Sequence, residues 1–298
     1  MGLLELRLPD IVVVTGTASG LGLEVARQLL QSNCQVVGVD MAPSALESDP
    51  SYQQVTGSIA DTSTWNWVVD LLDAQASATL GLVTCAAILD VGTVPEATPQ
   101  RIERTMSVNV TGTALGMAMI IPRMEANGGG AIVAVASVNA TLAEQQLAIY
   151  NASKAAVRQL ARTAALDHAR RGIRINVLSP GPMMAGLFKR HVESATDSSR
   201  FLATRANRQP QGRILEASEV AQAALFLLSD GATALLGADV IADGGLTAGS
   251  ISEPAPKGRP SKLTIVGRNQ YGHWSQGKGR NHHRRRQWHR PRHGLGFR

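Results

Sequence analysis

The 298-residue chain contains only two cysteines, Cys34 and Cys85, and they stand 51 residues apart outside any CxxC arrangement. That scarcity excludes a disulfide framework and a thiolate zinc centre, and it suits a reducing compartment. Metal-ligand spacing is missing too: His168 reads as a cation near a helix C-terminus and His191 as part of an insertion, and neither has partners, so no metal is expected. No stretch approaches the roughly 18 uninterrupted apolar residues of a membrane span. The first residues, MGLLELRLPDIVVVTG, lack a basic segment followed by a long apolar one and a cleavage site. A cytoplasmic protein without a membrane partner is therefore expected. Internal repeats are absent as well.

Acidic residues are nearly missing from the C-terminus. Residues 251–298 hold twelve Lys and Arg against one acid, Glu253, a net +11, so the formal +6 of the whole chain conceals −5 over residues 1–250. The expected organisation is one domain over 1–250 and a basic, low-complexity, disordered tail over 251–298. Such a charge run binds polyanions nonspecifically at low salt, and no specific nucleic-acid partner is inferred from it.

The body alternates apolar runs with helical patterns. IVVVT at 11–15 is stopped by Gly16, a helical period starts near Leu21, and QVVGV at 35–39 ends at Asp40. Strand, glycine turn, helix and strand in about 30 residues make a βαβ unit. Further buried strands are expected at Leu80–Cys85, Gly130–Ala136, Ile173–Leu178 and Ala238–Ile241, with helices over Ile102–Met124, Tyr150–Arg170 and Glu216–Leu228. The fold class is α/β: a doubly wound parallel sheet of Rossmann type. Residues 183–213 break the pattern and read as a lid insertion over the carboxyl ends of the strands. Trp65 and Trp67 open a helix and read as packing residues, and Cys85 as a small hydrophobe at a strand end.

The turn Thr15-Gly16-Thr17-Ala18-Ser19-Gly20-Leu21-Gly22 places glycines as G-x3-G-x-G between a strand and a helix. Gly16 permits the tight turn, Gly20 lets backbone approach a pyrophosphate, and Gly22 lets the helix pack while its N–H groups face the anion. Asp40 closes the second strand 18 residues beyond Gly22, and no Arg occurs from Met41 to Ser44. A carboxylate there accepts from a ribose diol and repels a 2′-phosphate, which favours NAD over NADP.

With these residues in view, the chain resembles the short-chain dehydrogenase/reductase family over residues 9–247. TGTASGLG at 15–22 resembles its cofactor loop, Ser137 followed by Tyr150-Asn151-Ala152-Ser153-Lys154 its catalytic Ser and Tyr-x3-Lys, Asn109 its helix asparagine, and NVLSPG at 176–181 its turn before the lid. The resemblance implies a catalytic set of Asn109, Ser137, Tyr150 and Lys154. It also implies a cofactor site drawn from Gly16, Ser19, Gly20, Leu21, Gly22, Asp40, Ser58, Ile59, Ala86, Tyr150, Lys154, Pro180, Gly181 and Met183. A homodimer or homotetramer through the helices around Ile102–Met124 and Tyr150–Arg170 belongs to the same implication. Three positions depart from the pattern. Thr84-Cys85-Ala86-Ala87 stands where the family carries Asn-Asn-Ala-Gly, and Ser58-Ile59 where it carries an acidic residue and Val. The threonine that reaches the carboxamide is replaced within GPMMAG.

Tyr150 and Lys154, four apart on a helix, share one face. A phenol titrates near ~10, and an ammonium at ~4 Å with an effective dielectric of ~20 contributes about 4 kcal/mol, enough to bring it toward neutrality. Tyr150 is expected to exchange the alcohol proton, Ser137 to orient the reacting oxygen, Lys154 to lower the phenol pKa and hold the ribose, and Asn109 to hold a water that connects Lys154 to solvent. Ser137, Asn139, Tyr150 and Met184 are the candidate substrate contacts, with Glu144 and Gln145 as further polar ones and Met183, Leu187 and Phe188 as apolar lining. The implied activity is hydride transfer between NAD and a fairly apolar or cyclic secondary alcohol or ketone. A catalytically weak NAD-binding regulatory or scaffold protein is the alternative.

Overall fold

Five-residue runs rich in Val, Ile and Leu suit strands buried on both faces, and the central strands of this protein are of that kind. A computed structural model describes residues 6–75 and 78–249, so the tail expected at 251–298 lies outside the described residues. The first strands are β1 (Ile11–Thr15), β2 (Gln35–Asp40) and β3 (Tyr52–Thr56). They are followed by β4 (Leu80–Thr84), β5 (Gly130–Val135), β6 (Ile173–Pro180) and β7 (Asp239–Ala242). They form one parallel sheet in the order β3-β2-β1-β4-β5-β6-β7. Strand order reverses between β1 and β4, and the carboxyl ends of these neighbours open the crevice where such sheets hold ligands.

Helices cover both faces. On one, α2 (Thr62–Asp73), α3 (Pro99–Met106), α4 (Gly112–Ala126) and α5 (Ala148–His168) accompany a cluster that includes Trp65, Ile120, Met124, Ile132 and Ile175. On the other, α1 (Gly20–Gln31) and α8 (Ala217–Leu228) bring Val25, Leu29, Val220 and Leu227 against Val12, Val14 and Val133. Each such fully buried aliphatic side chain is worth about 1.5–3 kcal/mol relative to exposure.

Three elements differ from the sequence-based expectation. β3 carries YQQVT, in which only Tyr52 and Val55 are buried. That polar pattern hides a strand at the sheet edge, paired on one side to β2. The helix expected at Ile102–Met124 runs from Pro99 to Ala126 and contains a π-helical turn, Ser107–Thr111. It is long and apolar enough in composition to cross a bilayer, yet Met117, Ile120, Ile121 and Met124 are buried against the sheet. The lid at 183–213 contains two helices, α6 (Gly186–Glu193) and α7 (Ser198–Asn207).

Candidate active site

The loop after β1 is shaped by contacts that leave no room for side chains. Gly16 has φ +80°, and a Cβ there would lie 3.0 Å from the Ala86 backbone; at Gly22 a Cβ would lie 2.3 Å from the Gly16 carbonyl oxygen. The Gly16 N–H donates to the Val39 carbonyl at 2.8 Å, which ties the turn to β2. Ser19 caps α1 without a side-chain hydrogen bond, and no acidic residue occupies the first turn. The N–H groups that open α1 therefore present partial positive charge to the cavity in front of them. A cradle in which added Cβ atoms collide with backbone fits a pyrophosphate.

Two supports of this loop escaped the sequence reading. Tyr52 crosses over Gly38, where a Cβ would overlap its hydroxyl, and shares a 2.8 Å hydrogen bond with Thr17 Oγ1. Ser44 Oγ donates to the Thr17 carbonyl at 2.9 Å. Asp40 lies on the cavity wall at the end of β2, and its carboxylate accepts the Ala18 and Ala42 N–H groups, each at 3.0 Å. No signal short of knowing that β3 pairs with β2 could have placed Tyr52 here.

Across the switch point, β5 delivers Ser137, whose Oγ accepts the Asn139 N–H at 3.1 Å. This bond starts a single 3-10 turn and leaves the hydroxyl hydrogen free to point into the cavity. One face of α5 carries Tyr150 and Lys154. The Lys154 Nζ is buried and donates to the Val135 carbonyl at 2.9 Å, and it lies 5.9 Å from the Tyr150 ring centroid. Asn109 sits within the π-helical turn, 1% exposed. Its amide accepts the Ile88 N–H at 2.8 Å, donates to the Ile88 carbonyl at 3.0 Å, and donates to Ser153 Oγ at 2.9 Å. Asn109 thus pins the segment after β4 to the residue beside Lys154.

The electrostatics correct one expectation. A phenol lowered by Lys154 was expected from the spacing; instead burial pushes Tyr150 up to about 12, the Ser137 hydroxyl pulls it partly back, and the Glu144 carboxylate adds in the upward direction. The Lys154 ammonium donates to the Val135 carbonyl, and desolvation of the buried phenol is the largest effect on it. Burial likewise lowers Lys154 to about 8. It raises Cys85 to about 12, keeping that side chain a protonated thiol.

A cavity of about 960 Å³ connects the two ends. Its wall includes all the residues expected to hold the cofactor: Gly16, Ser19, Gly20, Leu21, Gly22, Asp40, Ser58, Ile59, Ala86, Tyr150, Lys154, Pro180, Gly181 and Met183. Ser137, Asn139, Glu144, Leu187 and Phe188 line it too. Met184 does not. Its N–H is spent on the Leu215 carbonyl at 2.8 Å in a short extended segment where Met183 bridges Leu215. Successive side chains there alternate in direction, so placing Met183 on the wall takes Met184 off it. Asn109 stands behind the wall, and Gln145 borders an adjoining cavity instead.

At Thr84-Ala87 the lost amides are partly replaced: the Ala86 N–H donates to Thr15 Oγ1 at 3.0 Å. Thr84 Oγ1 is buried without a hydrogen-bond partner among the described residues. Gln209, also missed from sequence, lines the cavity at 2% exposure with its Oε1 unpartnered among the described residues. Arg205 of α7 pairs with Glu144 across the cavity mouth and stacks 4.9 Å from the Phe201 ring centroid. No described grouping of His, Cys, Asp or Glu could hold a metal ion.

Comparison with known proteins follows the same lines. A family profile described as enoyl-(acyl carrier protein) reductase matches residues 16–247. A cis-4-hydroxycyclohexanecarboxylate dehydrogenase of Sinomonas cyclohexanicum is 34% identical over 254 residues, covering 80% of this chain and 96% of its own. A 2-(S)-hydroxypropyl-CoM dehydrogenase of Xanthobacter autotrophicus is 30% identical over 247 residues, covering 80% and 97%. The ligand-free aldohexose dehydrogenase of Thermoplasma acidophilum superposes with a TM-score of 0.76 at 24% identity, over 83% of this chain and 98% of that one.

Proposed function

Because the chain belongs to the short-chain dehydrogenase/reductase family, we propose that it transfers hydride between NAD and a fairly apolar or cyclic secondary alcohol or its ketone. At the coarser level it is an oxidoreductase acting on CH–OH groups with an NAD(P) cofactor. One observation carries the finer reading: a glycine cradle with Asp40 closes one end of the cavity, and Ser137, Tyr150 and Lys154 converge at the other.

The cofactor-holding residues divide by chemistry. The backbone around Gly16–Gly22 would take the pyrophosphate, Asp40 the adenosine ribose, Ser58 and Ile59 the adenine edge, and Lys154 the second ribose. Bound there, the nicotinamide supplies or accepts the hydride. Tyr150 moves the hydroxyl proton, and Ser137 Oγ, fixed through Asn139, orients the substrate oxygen. Asn109 acts as a positioning residue through Ile88 and Ser153. Asp40 supports NAD because a 2′-phosphate would meet a carboxylate already anchored by two backbone N–H groups.

The names of the relatives support a secondary alcohol, and that of the cis-4-hydroxycyclohexanecarboxylate dehydrogenase supports a cyclic one. Homo-oligomerisation belongs to the reading, supported by exposed Ile102 on α3 and Leu166, 73% exposed, on α5. So does a cytoplasmic setting, supported by the free thiols Cys34 and Cys85. The deciding experiment is a screen of secondary alcohols and ketones with NAD and NADP in parallel. Turnover that prefers NAD is expected, and dinucleotide binding without turnover across the panel would return the chain to the scaffold reading.

A further inference from the structure

The lid end of the cavity has an excess of cations. Among its described lining residues the carboxylates are Asp40, engaged at the far end with two N–H groups, and Glu144. Facing Glu144 is Arg205, and one turn on stands Arg208; both also border an adjoining cavity of about 700 Å³. Arg208 has no ion-pair partner among the described residues. The Arg205–Glu144 pair is mostly withdrawn from solvent, with side-chain exposures of 19% and 21%.

The position of this pair matters as much as its charge. Glu144 accepts a hydrogen bond from Asn139 Nδ2 at 3.2 Å, and the Asn139 N–H in turn holds Ser137 Oγ. Arg205 is therefore tied through Glu144 and Asn139 to the end of the cavity that holds Ser137. Phe188, on the wall of the main cavity, packs 6.3 Å from Phe201, whose ring lies against the guanidinium and borders the adjoining cavity. A wall that carries Met183, Leu187 and Phe188 with a half-buried guanidinium beside it matches an apolar body that ends in an oxyanion. A planar carboxylate can take two parallel N–H bonds from such a fork.

Resting on the dehydrogenase reading of this site, we propose that the substrate is a secondary alcohol bearing a carboxylate, which replaces Glu144 as the partner of Arg205, with Arg208 adding attraction. Glu144 is then an internal stand-in that keeps the guanidinium paired until the substrate anion arrives.

The full-length chain, loaded with NAD, would be titrated by calorimetry with cyclohexanecarboxylate and with the neutral cyclohexanecarboxamide, neither of which can be oxidised. The acid should bind at least about tenfold tighter, in keeping with a charge-assisted bidentate contact. Arg205→Gln should remove that preference, and Arg205→Lys should keep part of it. Glu144→Gln should tighten the acid several-fold, a gain that loss of a merely structural ion pair would not produce. Equal binding of acid and amide, binding of neither, or an Arg205→Gln loss that falls equally on NAD would overturn the proposal. A parallel turnover assay with 4-hydroxycyclohexanecarboxylate and its amide separates the two readings. Oxidation of both alcohols without acid preference defeats the anion inference alone. Arg205-dependent acid binding with no oxidation of either alcohol defeats the dehydrogenase reading and leaves the anion site standing.

Discussion

Gly20 in the phosphate loop and Gly186 at the first turn of α6 meet backbone to backbone: a Cβ on Gly20 would lie 3.0 Å from the Gly186 Cα, and one on Gly186 would lie 3.2 Å from the Gly20 Cα. Both have positive φ, +64° and +52°. The 183–213 segment is thereby seated on the glycine loop after β1, and its helices continue from that contact to Phe188 and Arg205. The glycine loop and the 183–213 segment thus meet at two residues without side chains.

Gly186→Ala tests that contact. A left-handed backbone costs an L-residue about 1–2 kcal/mol, and the new methyl presses on Gly20. The expected result is a dinucleotide Kd weakened about fivefold to twentyfold with less than about 5 °C lost in Tm. Unchanged Kd in a calorimetric titration would show that loop and lid act independently.

Tyr150→Phe removes the hydroxyl proposed to exchange the substrate proton and leaves the cavity wall in place. Turnover should fall by about 10²–10⁴, with NAD affinity within about threefold of the parent. Steady-state kinetics beside a fluorescence titration of NADH measures both, and retained turnover would remove Tyr150 from the chemistry.

Lys154 gives the cofactor-free protein a signature in its stability. Its folded pKa, about 8, lies below its ordinary 10.5, so between these values the unfolded chain binds more protons and stability rises with pH. Across that window the parent should gain up to about 3 kcal/mol relative to Lys154→Met, read from urea unfolding at pH 7.5 and pH 10. Tyr150, raised to about 12, works the other way: its contribution is lost only as pH climbs from about 10 toward 12, outside this comparison. Parallel pH profiles for parent and variant would mean that Lys154 is not desolvated in solution.

What the sequence made legible was what local pattern encodes. IVVVT announced β1, the glycine spacing announced the loop, and a four-residue separation put Tyr150 and Lys154 on one face. What it hid depended on partners distant in the chain. YQQVT becomes a strand because β2 offers it an edge, and Tyr52 reaches Thr17 because Gly38 leaves the space. Arg205 meets Glu144 only when the lid folds over the β5–α5 connection. The pKa direction at Tyr150 was misjudged for a similar reason. Spacing gave the neighbour but not the burial that raises the phenol.

Asp40→Ser tests the choice of dinucleotide. Removing the carboxylate relieves repulsion toward a 2′-phosphate and leaves a hydroxyl, too short to reach both Ala18 and Ala42. The ratio of kcat/KM for NAD over NADP should fall by at least about tenfold, mostly through KM. A ratio unmoved by the substitution would assign the preference elsewhere on the wall.

Asn109 separates positioning from chemistry, because its amide touches Ile88 and Ser153 and stands behind the cavity wall. The π-helical turn at Ser107–Thr111 adds one residue to the helical repeat and so turns this side chain inward. Asn109→Ala takes the partner from the half-buried Ile88 N–H and carbonyl, which should cost about 1–3 kcal/mol of stability. Ser153→Ala removes the other end of one of the three bonds and should cost less. If Asn109 acts through Ser153, the double variant will be more stable than the sum of the two losses predicts, by a coupling of about 1 kcal/mol in urea unfolding. The coupling should also be visible in kcat, because Ser153 neighbours Lys154 on α5. Strict additivity in both measurements would confine Asn109 to holding the segment after β4.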